Sequence, residues 1–228
     1  MRLLLVRHGQ TPSNVDHLLD TAVPGADLSP LGREQADALA DLLADEGVGA
    51  ISASTLVRTQ QTAAPLAAAL GLPVAVADGL REIEAGELEM RGDEASVRRY
   101  LEVVAAWLHG DLEVAQPGGE DGRAFLARYD AAIAEAVERA RAAGTTTLAV
   151  VSHGAAVRTW AGVRVRNLSA GFVIATGLLN TGVVTLTGSP EEGWTCETWM
   201  GAAVDAEQAQ AAGAGPAGEP AREPGSVF

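Results

Sequence analysis

Residues 3–14 read LLLVRHGQTPSN, and both the fold and the site follow from this stretch. It is a continuous apolar run that stops at Arg7, His8 and Gly9. An apolar run that ends at a turn signal predicts a short buried strand. Ligands of open α/β sheets bind outside the carboxyl ends of the strands. An arginine and a histidine at this position, followed by a glycine that lets the backbone approach closely, suit an anion.

The chain then alternates helical and extended patterns. Ser29 and Pro30 begin a helix predicted over residues 30–46, as its cap and its first helical residue. Its apolar face is predicted to consist of Leu31, Leu39, Leu42 and Leu43. Further elements are predicted as strands over 49–53 and 72–77 and, between them, a helix over 56–70 capped by Thr55. The order β-α-β-α-β predicts parallel strands joined by right-handed crossovers.

The second half of the chain continues this architecture. Residues 78–92 are acidic and without clear periodicity, which predicts a loop over one end of the sheet. The other predicted elements are helices over 93–108, 120–143 and 155–163, a central strand over 145–152, and a hairpin of strands over 182–188 and 194–200; residues 167–179 stay unassigned. We expect a three-layer α/β/α sandwich with a mostly parallel central sheet over residues 1–200. The Ala/Gly/Pro-rich residues 201–228 are expected to form a disordered tail.

Composition limits the class of protein. The chain has 228 residues, 47% of them hydrophobic, which is enough for one core. A formal net charge of −14 argues against binding to nucleic acid or to an anionic membrane surface. Cys196 is the single cysteine, so the sequence predicts no internal disulfide. The first apolar run is too short for a signal peptide and no later run could span a membrane, so we expect a cytoplasmic protein.

Three predicted strand ends carry residues that suit an anion. The first bears Arg7 and His8, the second leads into a helix with Arg58 in its first turn, and the central strand ends at His153 and Gly154. Each residue alone has an ordinary interpretation, as a surface charge or a core histidine. If the strands are parallel, all three ends lie at one edge of the sheet and meet a helix N-terminus. The sequence therefore predicts one anion site built from two arginines and two histidines.

Five motifs in order resemble the histidine phosphatase superfamily, whose fold is phosphoglycerate mutase-like. They are Arg7-His8-Gly9-Gln10-Thr11 with Asn14, the SxLxRTxxTA segment at 54–63, Leu80-Arg81-Glu82-Ile83 with Gly86, Gly118-Gly119-Glu120, and Ser152-His153-Gly154. The resemblance covers roughly residues 1–200. It implies that His8 is a nucleophile that forms phosphohistidine.

The resemblance also implies roles for the surrounding residues. Arg7, Arg58 and His153 would bind the phosphate oxygens, and Glu82 would protonate the leaving oxygen and then activate water. Further donors would come from Asn14, from the backbone of Gly9, Gln10 and Thr11, and from Gly154. No cofactor is implied. His17 and His109 are interpreted as surface residues, and no cluster shows metal-ligand spacing, so no metal site is predicted.

Two stretches depart from the family pattern. Members often carry Trp-Glu-Gly soon after the acid, whereas this chain has Glu87-Leu88-Glu89-Met90. Glu84, Glu87 and Glu89 crowd the same loop as Glu82, so the motif alone supports Glu82 as the acid. Asp121 stands where a serine commonly follows Gly-Glu. Both departures bear on the substrate rather than on phosphoryl transfer.

The predicted function is hydrolysis of a small phosphomonoester. One alternative is a phosphomutase of the same family, which would need extra basic residues for a second phosphate. Another is a non-catalytic phosphate-binding or regulatory protein, whose signature would be loss of His8 or of the acid. Sugar phosphates, phosphoglycerate, nucleotides and phosphoproteins stay open as substrates. The oligomeric state also stays open, and a homodimer is compatible with the sequence.

Overall fold

The computed structural model describes residues 1–204. Their strands form one sheet and are β1 (Arg2–Arg7), β2 (Ala50–Ala53), β3 (Val74–Val76), β4 (Thr147–Ser152), β5 (Val183–Ser189), β6 (Gly193–Trp199) and β7 (Ala202–Ala203). The order across the sheet is β3-β2-β4-β1-β5-β6-β7. Strands β3, β2, β4 and β1 are parallel, and β5 continues the sheet antiparallel to β1. The predicted mostly parallel sheet is confirmed.

Helices cover both faces of this sheet. They are α1 (Pro12–Val15), α2 (Pro30–Leu43), α3 (Val57–Leu70), α4 (Glu94–Leu108), α5 (Gly122–Ala142), α6 (Gly154–Arg164) and α7 (Ala170–Thr176), with 3-10 turns at Asp78–Leu80 and Gly86–Leu88. Successive residues of β1 point to opposite faces, as a pleated strand requires. Leu3 and Leu5 join the core with α4, α5 and α6. Leu4 and Val6 join the core with α2 and α3. The fold is therefore the expected α/β/α sandwich.

The register of β1 and β4 brings their ends together. Arg7 pairs with Ser152 across the two parallel strands. The His8 N–H extends the ladder by donating to the Ser152 carbonyl at 3.0 Å. Each strand is buried along almost its whole length, because its continuous apolar run faces a core on both sides. The predicted meeting of the strand ends is confirmed.

The prediction of the apolar face of α2 was partly wrong. Leu31 and Leu42 are 47% and 65% exposed. The buried stripe instead contains Gly32, Ala36, Leu39, Ala40 and Leu43. Small residues at this spacing let α2 pack closely on its neighbours, and Leu31 and Leu42 fall outside the stripe. The helix also ends at Leu43 rather than at residue 46.

Three other local predictions need correction. The cap of α3 is Leu56, which makes no side-chain capping bond, while Thr55 donates to Asp78. The unassigned segment contains α7, where the Ser169 hydroxyl accepts the Phe172 N–H. The predicted tail begins with a strand, because β7 pairs with β6. Residues 205–228 of that tail lie outside the described residues. Within residues 1–204, no helix combines the length and apolar character needed to cross a membrane.

Candidate active site

A small cavity of about 60 Å³ opens at the carboxyl ends of β1 and β4. Its lining includes Arg7, His8, Thr11, Asn14, Arg58, Glu82 and Gly154, all of them predicted site residues. The lining also includes Asp20 and Arg158, which the sequence motifs did not single out. Residues from distant parts of the chain therefore form one pocket.

Both ring nitrogens of His8 have hydrogen-bond partners that fix its tautomer. Its Nδ1 lies 2.7 Å from the Gly9 carbonyl oxygen, which can only accept a hydrogen bond. In the neutral ring the proton therefore sits on Nδ1, and the lone pair is on Nε2. Arg58 donates its Nε–H to that lone pair at 3.1 Å. Burial lowers the pKa of His8 well below 6.5, and the charges of Arg58 and Arg7 act in the same direction. His8 is thus a neutral imidazole at physiological pH.

The two arginines are fixed by carbonyl groups. Arg7 donates an Nη1–H to the Leu178 carbonyl at 2.7 Å, and Arg58 donates an Nη2–H to the Asp20 carbonyl at 2.8 Å. Burial lowers the pKa of Arg7 to about 10, so both side chains stay cationic at neutral pH. Within residues 1–204, Arg7 Nε and Arg58 Nη1 are buried without a hydrogen-bond partner. An anion in the cavity would satisfy both donors.

His153 lies behind His8, with the two ring centroids 5.2 Å apart. Its Nε2 is 2.8 Å from Ser54 Oγ, while its Nδ1 is buried without a partner in the described part of the chain. Burial also lowers the pKa of His153 well below 6.5. When Ser54 donates to Nε2, the ring proton sits on Nδ1, which can then donate to an anion.

Glu82 lies on the N-terminus of α6. Its Oε1 accepts the N–H groups of Ile83 and Ala156 at 2.9 and 2.7 Å, and its Oε2 accepts that of Ala155 at 3.1 Å. A carboxylate is well placed there because the first N–H groups of a helix lack partners within the helix. The contacts hold the Glu82 carboxylate in the cavity wall.

The competing acids of this loop have other contacts. Glu84 pairs with Arg81 at 2.9 Å, and Glu89 accepts the Thr21 N–H at 2.8 Å. Glu87 follows Gly86 in a 3-10 turn. Among these four described glutamates, Glu82 is the one that lines the cavity. The structure therefore distinguishes Glu82, the acid that the motif suggests, from the three glutamates that crowd the same loop.

The N–H groups of the loop after β1 donate to side chains of the protein. The N–H groups of Gly9, Gln10 and Thr11 donate to Thr62 Oγ1, Gln35 Oε1 and Asn14 Oδ1 at 2.9, 2.8 and 3.1 Å. These three backbone groups therefore shape the loop in the described structure, in contrast to their expected role as anion donors. A Cβ on Gly9 would lie 2.5 Å from the Gly32 carbonyl oxygen. The missing side chain of Gly9 thus allows packing on α2 rather than approach to an anion.

Two other predicted donors keep free hydrogens. Asn14 lines the cavity, and its Oδ1 accepts from the Thr11 N–H at 3.1 Å and from Asn180 Nδ2 at 3.2 Å. Asn180, which the motifs did not reveal, also donates to the His8 carbonyl at 3.0 Å. Gly154 is the first residue of α6, so its N–H has no acceptor within that helix. Asn14 and Gly154 are therefore placed to donate.

Arg128 of α5 holds the loop that carries Glu82. It donates to the carbonyls of Gly79 and Arg81 at 2.9 Å each and to that of Glu82 at 2.8 Å. Glu120 accepts Arg128 Nε–H at 2.8 Å.

The sequence placed Glu120 at a helix start, but α5 begins later and is capped by Asp121, which accepts the Ala124 N–H at 2.8 Å. Aspartate replaces serine there as an equivalent cap.

The resemblance implies that Glu82 protonates the leaving oxygen, so we expect Arg128→Met, which misaligns the Glu82 carboxylate, to lower kcat/KM for phosphomonoesters with poor leaving groups by roughly ten- to a hundredfold. An activated aryl phosphate should lose less, since its leaving group needs little protonation. Steady-state kinetics on both substrates measure the difference. Arg123→Met, at an exposed arginine of the same helix, is the matched control. Equal loss for the two substrates would indicate a purely structural role for Arg128.

The buried histidines predict a pH-dependent stability. The pKa of each is below 6.5 in the folded state, so the unfolded chain binds more protons below that pH. The stability that the two neutral histidines contribute should therefore be complete above pH 6.5. Below that pH, the free energy of unfolding should fall by about 1.4 kcal/mol per pH unit for each histidine. Urea unfolding between pH 7.5 and 5.5 measures this slope. His153→Gln should reduce it and His17→Gln, at an exposed site, should not; equal slopes in both variants would refute the assignment.

Fold and site together define an α/β protein with a small cavity lined by His8, Arg7 and Arg58. The model of the histidine phosphatase superfamily (branch 1) matches residues 3–201, so the chain belongs to this superfamily. It is 33% identical over 138 residues to the adenosylcobalamin/alpha-ribazole phosphatase of Escherichia coli, covering 60% of this chain and 68% of that protein. It is also 39% identical over 213 residues to the PE-PGRS family protein PE_PGRS11 of Mycobacterium tuberculosis, covering 87% of this chain but 36% of the relative.

Solved structures show the same fold. A mycobacterial glucosyl-3-phosphoglycerate phosphatase superposes with a TM-score of 0.72 at 28% identity, covering 87% of this chain and 98% of that one. The alpha-ribazole phosphatase from Shigella flexneri gives a TM-score of 0.70 at 28% identity, covering 90% of this chain and 98% of that one. Other relatives are probable phosphoglycerate mutases, such as one from an Enterobacter species that is 33% identical over 166 residues, covering 69% of this chain and 71% of the relative. The relatives thus include both phosphatases and mutases.

Proposed function

We propose that this protein is a phosphatase that hydrolyses a small phosphomonoester through a phosphohistidine at His8. The observation that carries the proposal is the convergence of unsatisfied nitrogens around the His8 ring. Within residues 1–204, Arg7 Nε, Arg58 Nη1 and His153 Nδ1 are buried without a hydrogen-bond partner, and Arg58 Nη1 lies 3.7 Å from the Asp20 carboxylate. Buried polar atoms are normally hydrogen-bonded, so an anion that reached these three donors would satisfy them. The Nε2 of His8 accepts the Nε–H of Arg58 at 3.1 Å, and the His8 and His153 ring centroids are 5.2 Å apart.

The first step transfers the phosphoryl group to His8. The lone pair on His8 Nε2 attacks phosphorus, and the bond from phosphorus to the leaving oxygen breaks. Protonated Glu82 gives its proton to that oxygen, so the alcohol leaves neutral. Arg7 and Arg58 neutralise the charge on the remaining phosphate oxygens. The products are phosphohistidine, the alcohol and the Glu82 carboxylate.

The second step returns the enzyme to its starting state. The Glu82 carboxylate takes a proton from water as the water oxygen attacks phosphorus. The bond between Nε2 and phosphorus breaks, and inorganic phosphate leaves. His8 is again neutral, with its proton on Nδ1 held by the Gly9 carbonyl. One residue thus serves first as acid and then as base.

The distribution of charge favours hydrolysis over phosphate exchange. A mutase needs cations for a second phosphate. The basic residues of the segment over the site pair with their own neighbours: Arg91 with Asp93, Arg98 with Glu94 and Arg99 with Glu102. All three side chains are about half exposed, and none lines the phosphate cavity. The mutase therefore stays the second candidate.

Turnover of an activated aryl phosphate in the presence of EDTA tests the proposal. We expect steady hydrolysis, with a rate that EDTA leaves unchanged, because the proposed residues need no metal. Within residues 1–204, no group of three or more His, Cys, Asp or Glu side chains could hold a metal ion. Binding of inorganic phosphate without any turnover would instead favour a non-catalytic phosphate-binding protein. Transfer of the phosphoryl group from a phosphorylated donor to an acceptor, without release of inorganic phosphate, would favour a mutase.

A further inference from the structure

An apolar groove of about 530 Å³ adjoins the phosphate cavity. Its walls come from α4, α6 and α7 and include Val97, Leu101, Val104, Leu108, Ala155 and Ile174. Three residues, Leu101, Ala155 and Arg158, line both the groove and the phosphate cavity. The two spaces are therefore neighbours that share a wall.

The leaving group of the proposed reaction departs on the groove side. Glu82, the proposed acid, accepts the Ala155 N–H through Oε2 at 3.1 Å. Ala155 is one of the residues that line both spaces. The oxygen that Glu82 protonates carries the organic part of the substrate. That part consequently lies next to the wall that the two spaces share.

The charged residues of the groove are Glu94, Arg98, Glu102 and Arg158, and each has a partner. Glu94 and Arg98 pair with each other at 3.0 Å and are largely exposed, and Glu102 lies 3.7 Å from Arg99. Arg158, at the junction, donates through Nε and Nη2 to the Val173 carbonyl of α7 at 3.0 and 2.9 Å. These contacts leave aliphatic side chains as the main contact surface. Such a surface suits hydrocarbon rather than the hydroxyl groups of a sugar or a second phosphate.

We infer that the substrate is a phosphomonoester of an apolar alcohol, with its phosphate against His8 and its carbon chain or ring along the groove between α4 and α7. The inference rests on the proposed phosphatase function and specifies its substrate class. A sugar phosphate or a phosphoglycerate would place polar groups against Val97 and Leu101 without partners, at a cost in affinity. An alkyl or aryl group would bury apolar surface there.

Binding of alkylphosphonates tests the groove without requiring turnover. Methyl-, butyl- and hexylphosphonate share one anionic head group, and their carbon–phosphorus bond does not undergo the proposed hydrolysis. We expect the affinity measured by calorimetry to rise about three- to fourfold for each buried methylene. Affinity that is independent of chain length would overturn the inference while leaving the phosphate site intact. Absence of binding by methylphosphonate and by inorganic phosphate would refute the phosphate site itself.

Two variants assign the chain-length effect to the groove. Val97→Asp and Ile174→Asp place a carboxylate on opposite walls of the groove, at residues that do not line the phosphate cavity. Each should weaken hexylphosphonate at least tenfold and leave methylphosphonate nearly unchanged. Leu42→Asp, at a 65% exposed leucine of α2, is the matched control and should change neither. Ile174 is 45% exposed, so its replacement is compatible with folding even if that of Val97 is not. Equal weakening of both phosphonates, or of neither, would contradict the inference.

Discussion

His8→Ala is expected to lower turnover of an activated aryl phosphate by at least about a thousandfold, because binding contacts alone do not replace a nucleophile. The fold should persist, since alanine fits the space that the imidazole leaves and the strand pairing of β1 involves backbone atoms. Arg7 and Arg58 keep their carbonyl contacts, so inorganic phosphate should still bind to the variant. Loss of rate with retention of binding is therefore the expected combination.

The control for this variant is His17→Ala, at an exposed histidine outside the cavity. Its kcat should equal that of the wild type. Thermal unfolding of both variants shows whether the fold persists. If His8→Ala kept more than about one per cent of the wild-type rate, water rather than His8 would be attacking phosphorus directly.

Glu82→Gln is expected to show the second-largest effect, and its size should depend on the leaving group. Alkyl phosphates need a proton on the departing oxygen, so their kcat/KM, which reports the phosphorylation step, should fall roughly a hundred- to a thousandfold. Phosphoryl transfer from an activated aryl phosphate needs little protonation, so its kcat/KM should fall much less. The ratio of the two losses tests the role of Glu82 as acid, because the hydrolysis of phosphohistidine is common to both substrates and does not enter kcat/KM.

Glutamine also perturbs the contacts of this residue. The amide can keep one oxygen toward Ile83 and Ala156, but its nitrogen then faces the Ala155 N–H, which loses its acceptor. A moderate loss of stability is therefore expected, of about 1–3 kcal/mol for a buried donor left without a partner. Glu84→Gln, at the carboxylate that pairs with Arg81, is the matched control. An equal loss of kcat/KM for both substrate classes would assign Glu82 a structural role only.

The sheet could be predicted because each of its central strands is a continuous apolar run in the sequence. The apolar runs that end at Arg7 and Ser152 predict buried parallel strands, and parallel pairing alone brings His8 and His153 to one edge. The position of Arg58 followed in the same way from the helix after β2. These residues are placed by regular elements, whose geometry depends little on side-chain detail.

Residues on loops were less predictable, because their contacts depend on packing between distant parts of the chain. Glu82 could not be separated from its acidic neighbours by pattern, since its position depends on Arg128 and on the start of α6. The N–H groups after His8 were expected to be free, but side chains such as Thr62 and Gln35 from two helices accept them. The spacing between motifs carries no information on such contacts.

The groove could not be predicted from the sequence for a related reason. Val97 and Leu101 lie on α4, are only partly buried and line the groove together with Ile174 of α7. Helix α7 falls in the segment that stayed unassigned. Tertiary arrangement therefore decides whether an apolar stripe completes a core or lines a binding groove.

Trapping the phosphorylated residue tests the central claim most directly. An activated aryl phosphate supplied to Glu82→Gln should phosphorylate the protein faster than water removes the group, because the base for the second step is missing. Alkaline quenching and peptide mapping should then locate one phosphoryl group on Nε2 of His8. The same treatment of His8→Ala should yield none. Phosphate on another residue, or turnover without any phosphorylated protein, would contradict the account.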